Sequence, residues 1–199
     1  MTKAIRIHEY GDADNMNWED VDIGAPDEGQ VRVKHTAIGL NFIDVYQRTG
    51  LYDIGALPAT LGMEGAGIIE EVGAGVDDFA VGDRVAYAMA LGAYSEARLM
   101  TTDRLVKVPD GIDDETAAAM MLQGMTAQYL LKSSYPVKAG DTILVMAAAG
   151  GVGQILSQWA KNLGATVIGC VGSDSKAKLA KAAGCDHTIL YNTEDIAER

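Results

Sequence analysis

The stretch DTILVMAAAGGVGQILSQWAKNLGATVIGCV, residues 141–171, constrains the fold more than any other part of the chain. It reads as strand, glycine turn, helix and second strand. TILVMA is an apolar run suited to a strand buried in a parallel sheet. AAAGGVG follows, with Ala147, Gly150 and Gly153 in AxxGxxG spacing. Val152, Ile155, Leu156, Trp159 and Leu163 then recur at helical spacing, Gly164 ends the helix, and TVIGCV supplies the next strand. Taken alone, a glycine triplet is a weak signal and fits a tight turn with no ligand. Inside a complete βαβ unit it points to a dinucleotide site. Glycines admit a pyrophosphate to the backbone, the helix N-terminus offers unbonded N–H groups and partial positive charge, and Gly153 lets helix and strand pack closely. Gly150, Gly151, Val152 and Gly153 are therefore the candidate phosphate contacts.

The end of the second strand bears on which dinucleotide binds. An acidic residue there would favour NAD through the ribose hydroxyls. This chain has Gly172, followed by SDSKAK. A small residue leaves room for a 2′-phosphate, Ser173 can hydrogen-bond it and Lys176 can meet its charge, so NADPH is expected. Asp174 either caps the following helix or blurs the preference. A solvated surface lysine is the plainer account of Lys176.

Up to about residue 109 the chain reads as short strands: KAIRIHEY, QVRVKHTAIGL, GAGIIEEVG, DRVAYAM, AYSEARLM and RLVKVP, punctuated by glycine. A curled antiparallel sheet or partial barrel is expected, with one helix-like interruption at residues 41–48. After Pro109 the composition turns helical, with Asp113 or Asp114 as cap and Gly124 as a break between two helices. From Thr142 strands and helices alternate three times, the pattern of a parallel α/β sheet.

A net charge of −12 opposes a phosphate backbone and argues against nucleic acid. Cys170 and Cys185 make neither a zinc spacing nor a CxxC and are expected as free thiols. The opening MTKAIRIHEY has no apolar core of a signal peptide, and no apolar run approaches a membrane span. A cytoplasmic protein is expected.

The passages AIGLNFIDVYQRTGLY, LGMEGAGIIEEVGAGV, VGDRVAY, LGAYSEA, AAAGGVGQILSQWAKNLGA and VGSDSKAKLAKAAG together resemble the quinone oxidoreductases, the zinc-free branch of the medium-chain dehydrogenase/reductase superfamily. The resemblance implies an α/β protein in two parts. Residues 1–122 would be a GroES-like partial β-barrel catalytic domain, without its C-terminal part. Residues 123–199 would be the N-terminal half of a doubly wound Rossmann domain binding NADPH. It also implies a homodimer. Asn41, Phe42, Ile43, Asp44 and Tyr46 would line the nicotinamide side, and Tyr129 would touch the cofactor. Gly151 and Val152 would hold the pyrophosphate; Gly172, Ser173 and Lys176 the 2′-phosphate; Tyr191 would lie against adenine or ribose. Members of this family exceed three hundred residues, so the chain is expected to lack the second half of the sheet and to leave its first Rossmann strand at an edge.

Zinc-dependent relatives place a Cys where this chain has Asn41 and a His where it has Met63, a poor zinc anchor. Glu64 remains, without partner ligands, and His8, His35 and His187 are scattered; no metal site is expected. Without a Lewis acid, simple alcohols are hard to oxidise, whereas quinones and conjugated carbonyls need mainly positioning and a hydrogen bond at oxygen. Tyr46 and Tyr52 can supply that bond or a proton, with Asn41 and Asp44 beside them; structural packing of both tyrosines is the plainer account. The expected activity is NADPH-dependent reduction of a quinone or related electrophile. Reduction of an enone or alkenal C=C bond, and NADPH binding without turnover, are the alternatives.

Overall fold

Alternating apolar residues between glycine-rich turns make the amino-terminal half a set of short antiparallel strands. In the computed structural model, which describes residues 1–199, β1 (Thr2–Ile7) pairs antiparallel with β2 (Met16–Val21) and with β4 (Ala59–Thr60). A second antiparallel sheet contains β3 (Gln30–Gly39), β5 (Glu64–Val72), β6 (Arg84–Ala88), β7 (Ala97–Thr101) and β8 (Val106–Lys107), in the order β7-β3-β5-β6-β8. The β3–β5 register shifts at Arg32/Val33 and again at His35/Ala37, and such bulges bend and twist a strand. Val31, Val33, Ile69, Val85, Tyr87 and Met100 fill the core of this sheet. β2 had no strand signal in the sequence: most of its side chains are exposed, as befits an edge. The short helix α1 (Phe42–Arg48) lies between β3 and β4 in the chain.

The chain divides into two compact units, Met1–Leu122 and Gln123–Arg199. α2 (Asp114–Tyr129) carries the boundary. Of its two candidate caps Asp113 serves, its Oδ1 accepting the Thr116 N–H at 2.6 Å. Gly124 does not break the helix. A single glycine costs about 1 kcal/mol, and the good helix formers around it, Ala117, Ala118, Ala119, Met120, Met121 and Leu122 before and Met125, Ala127 and Gln128 after, outweigh that. A π-helical turn, Leu130–Ser134, ends it.

In the second unit β9 (Thr142–Met146), α3 (Gly151–Asn162), β10 (Thr166–Val171), α4 (Asp174–Ala182) and β11 (His187–Leu190) form βαβαβ, with a parallel sheet ordered β11-β10-β9. Val145, Ala148, Ala160, Val167, Val171 and Ala180 are its core. As expected, β9 lies at the sheet edge: Ile143 and Val145 pack on the core, while Leu144 and Met146, on the other face of the alternating strand, are uncovered within these 199 residues. Two expectations are corrected here. The buried line of α3 is Gly153, Ser157 and Ala160, small residues that let the helix lie close to the strands; Leu156, Trp159 and Leu163 pack beside it, while Val152 and Ile155 are half-buried outside that cluster. Residues 191–199 form turns and no third helix. No helix is long and apolar enough to cross a membrane.

Candidate functional site

The glycine turn in the second unit is shaped by contacts that only backbone atoms permit. Gly150 caps α3 and has no side chain of its own to bond the first-turn N–H groups. Its own N–H donates to the Ala147 carbonyl at 2.8 Å. A Cβ at Gly153 would strike that carbonyl oxygen and come within 2.8 Å of Ala148 Cα. Ala147 itself takes φ 50°, the left-handed region that favours glycine.

At the end of β10, Gly172 lies against Tyr191: a Cβ there would come 2.7 Å from the tyrosine hydroxyl. Asn192 Nδ2 donates to the Gly172 carbonyl at 2.7 Å. Ser173 is the cap of α4, its Oγ accepting the Lys176 N–H at 3.4 Å and lying 3.0 Å from Ser175 Oγ. Asp174 is thus the first helical residue and not the cap. Lys176 is exposed. A helix N-terminus built from glycines and a strand end without a carboxylate fit a dinucleotide with an added phosphate. Tyr129, at the last position of α2, is 48% exposed.

In the first unit the site residues cluster at α1. Asn41 is its N-cap, forming a reciprocal capping box: its side chain accepts the Asp44 N–H, and Asp44 Oδ2 accepts the Asn41 N–H at 2.9 Å. Asp44 Oδ2 also accepts the Tyr94 hydroxyl at 2.7 Å, while Oδ1 is buried without a partner. Burial raises the Asp44 carboxyl above its ordinary range despite the Tyr94 and Asn41 bonds. Phe42 and Tyr46 meet edge to face at 5.2 Å, and the Tyr46 and Tyr52 rings are 5.3 Å apart. Phe42 is exposed, Tyr52 exposed and Tyr46 half-buried, so the three present an aromatic surface; Ile43 is half-buried beside them.

Glu64 has two hydrogen-bond partners. Its Oε1 accepts Asn41 Nδ2 at 2.5 Å and its Oε2 the Leu122 N–H at 2.7 Å. Met63 Sδ accepts Gln47 Nε2 at 3.1 Å. Sequence reasoning also passed over Tyr94, Asn192 and Gln47. LGAYSEA held Tyr94 in view, but nothing local links it to Asp44, 50 residues away.

Residues 27–110 match the alcohol dehydrogenase GroES-like domain family and residues 151–199 the zinc-binding dehydrogenase family. A Pseudomonas aeruginosa quinone oxidoreductase is 51% identical over 200 residues, covering 100% of this chain and 62% of that protein. A 2-haloacrylate reductase of Burkholderia sp is 50% identical over 204 residues, covering 100% of this chain and 61% of its own length. The crystal structure of Escherichia coli quinone oxidoreductase complexed with NADPH superposes with a TM-score of 0.97 at 44% identity, covering 99% of this chain and 61% of that one. The chain therefore spans about three-fifths of the length of the curated relatives it matches. With both domain families in order along it and this identity over its whole length, the chain is similar throughout to the quinone oxidoreductases.

Proposed function

We propose that this protein is an NADPH-dependent, zinc-independent reductase of quinones. The observation that carries the reading is the glycine N-terminus of α3 at the Gly150–Gly153 turn, followed at the end of β10 by Gly172, Ser173 and Lys176 in place of a carboxylate. The first-turn N–H groups of α3 would hold the pyrophosphate, and Ser173 and Lys176 the 2′-phosphate, with Tyr191 against the adenosine. Bound NADPH supplies the hydride. The chain's part is to orient the nicotinamide against the acceptor and to stabilise charge on the acceptor oxygen. The aromatic surface of Phe42, Tyr46 and Tyr52 suits a flat conjugated ring, and either tyrosine hydroxyl can donate to its oxygen.

Zinc independence is supported by the side chains at the two ligand positions. The Asn41 amide is bonded to Glu64, and Met63 offers a thioether already bonded to Gln47. Elemental analysis of dialysed protein is expected to find far less than one zinc per chain.

Reduction of an activated C=C bond is the second reading, favoured by the 50% identity to the haloacrylate reductase. The same hydride would enter at carbon, with a proton delivered to the neighbouring carbon. Acceptor-dependent loss of NADPH absorbance, measured with a benzoquinone, a 2-haloacrylate and a simple enone, separates the two. Consumption with none of them, beside tight NADPH binding, would leave a binding protein without turnover.

A further inference from the structure

We infer that Glu64 is a positioning residue for the acceptor side: its buried carboxylate fixes the orientation of the Asn41 amide and, through it, the first turn of α1. The inference rests on the function proposed above in one respect, that α1 is the element facing the acceptor.

Glu64 opens β5 and is 0% exposed. A carboxylate buried without a cation is unfavourable, and burial together with the charge of Asp44 raises its pKa. Neutral donors alone meet its oxygens, the Asn41 amide and the Leu122 N–H in the middle of α2. An apolar side chain of the same size would be the simpler filler, so the chemistry of the carboxylate needs a use.

That use follows from what an ionised carboxylate can do, which is only accept. Asn41 must turn its NH2 toward Glu64, and its carbonyl oxygen then faces the Asp44 N–H, as the capping box requires. The flipped amide would set oxygen against oxygen at Glu64 and NH2 against N–H at Asp44. Glu64 thereby selects one of two amide orientations of nearly equal shape. The selected one closes the turn from which Phe42 and Tyr46 project.

The opposing strand is opened to admit this carboxylate. Gly39 is the cross-strand partner of Glu64 in the β3–β5 ladder. A Cβ at Gly39 would strike Glu64 Oε1, Cγ and Cδ. Gly39 has no positive φ to account for it, so close approach is its reason.

Reversing the polarity of the Glu64–Asn41 bond tests the assignment. In Glu64→Gln the new amide oxygen can serve only one of the two donors, and its NH2 opposes the other. Amide hydrogen exchange over residues 42–48 should quicken, and kcat/KM for a quinone should fall about tenfold, the size of one mispaired buried hydrogen bond. Gly39→Ala should quicken the same exchange with Glu64 in place. The swap Glu64→Gln/Asn41→Asp lets the new glutamine donate to the new aspartate and accept from Leu122, and the aspartate still accepts the Asp44 N–H. Exchange over α1 should return to the wild-type rate. Wild-type exchange and turnover in Glu64→Gln, or a swap variant as loose as the single one, overturns the inference. Should the single variant not fold, a folded swap variant supports it and an unfolded one overturns it. If the wild type reduces no acceptor, the proposed function fails, while the exchange comparison still decides the role of Glu64.

Discussion

His35 and Tyr87 share a 2.6 Å hydrogen bond between Nε2 and the phenol oxygen, while His35 Nδ1 lies 2.6 Å from the Ser95 carbonyl. A carbonyl only accepts, so Nδ1 carries the proton and Nε2 accepts from Tyr87. The Arg98 guanidinium lies 5.1 Å over the Tyr87 ring. Burial holds the imidazole down at about 4, with the Ser95 bond opposing and the Arg98 charge assisting. The neutral ring is thus the form built into the fold.

Stability should consequently fall on acidification. Above the unfolded value near 6.5 both states carry a neutral ring and nothing is lost. Between there and about 4 only the unfolded chain takes up the proton, at a cost of roughly 1.4 kcal/mol per pH unit. Glu64 and Asp44, whose values are raised from 4.5 and 3.8, act in the opposite sense above those ordinary values. Urea midpoints measured from pH 7 to 4 on the wild type and His35→Gln isolate the histidine. The variant should lose about 1 kcal/mol at neutral pH and show a flatter decline.

Two glycines of one turn should respond differently to alanine. At Gly153 the added methyl meets fixed backbone of Ala147 and Ala148, so Gly153→Ala should cost about 2–3 kcal/mol and lower Tm by several degrees. At Gly151 it meets the amide end of the Gln123 side chain and not fixed backbone. Gly151→Ala should therefore lower Tm less than Gly153→Ala and weaken NADPH binding. Calorimetry and cofactor titration on the pair check this; equal Tm losses would contradict it.

Lys176→Ala should reduce NADPH affinity about tenfold and leave NADH affinity nearly unchanged, because only the 2′-phosphate can use the charge. The exposure of Lys176 keeps the effect at this size and makes it shrink with added salt. Fluorescence titration of both cofactors at two ionic strengths is the measurement. A wild type that prefers NADH would place the phosphate elsewhere.

Tyr46→Phe or Tyr52→Phe should lower kcat/KM for a quinone by about tenfold to a hundredfold, with a smaller change in NADPH affinity. The 5.3 Å ring contact survives either change, so the aromatic surface persists and only the hydroxyl is removed. Full activity in both single variants and in the double variant would leave neither hydroxyl a role.

What the sequence determined by itself is the set of features encoded within a few residues. The AxxGxxG turn between an apolar strand and an amphipathic helix dictates a βαβ unit, because period and glycine placement are local. Alternation and turn residues likewise mark most strands of the first unit, and the helix-like interruption at residues 41–48 is the helix Phe42–Arg48. Tertiary structure decided whatever depends on partners distant in the chain. Glu64 gains its role from Asn41, 23 residues away, and from Leu122, 58 residues away. α2 runs through Gly124 although the residue alone reads as a break, since neighbouring turns and packing outweigh one unfavourable propensity.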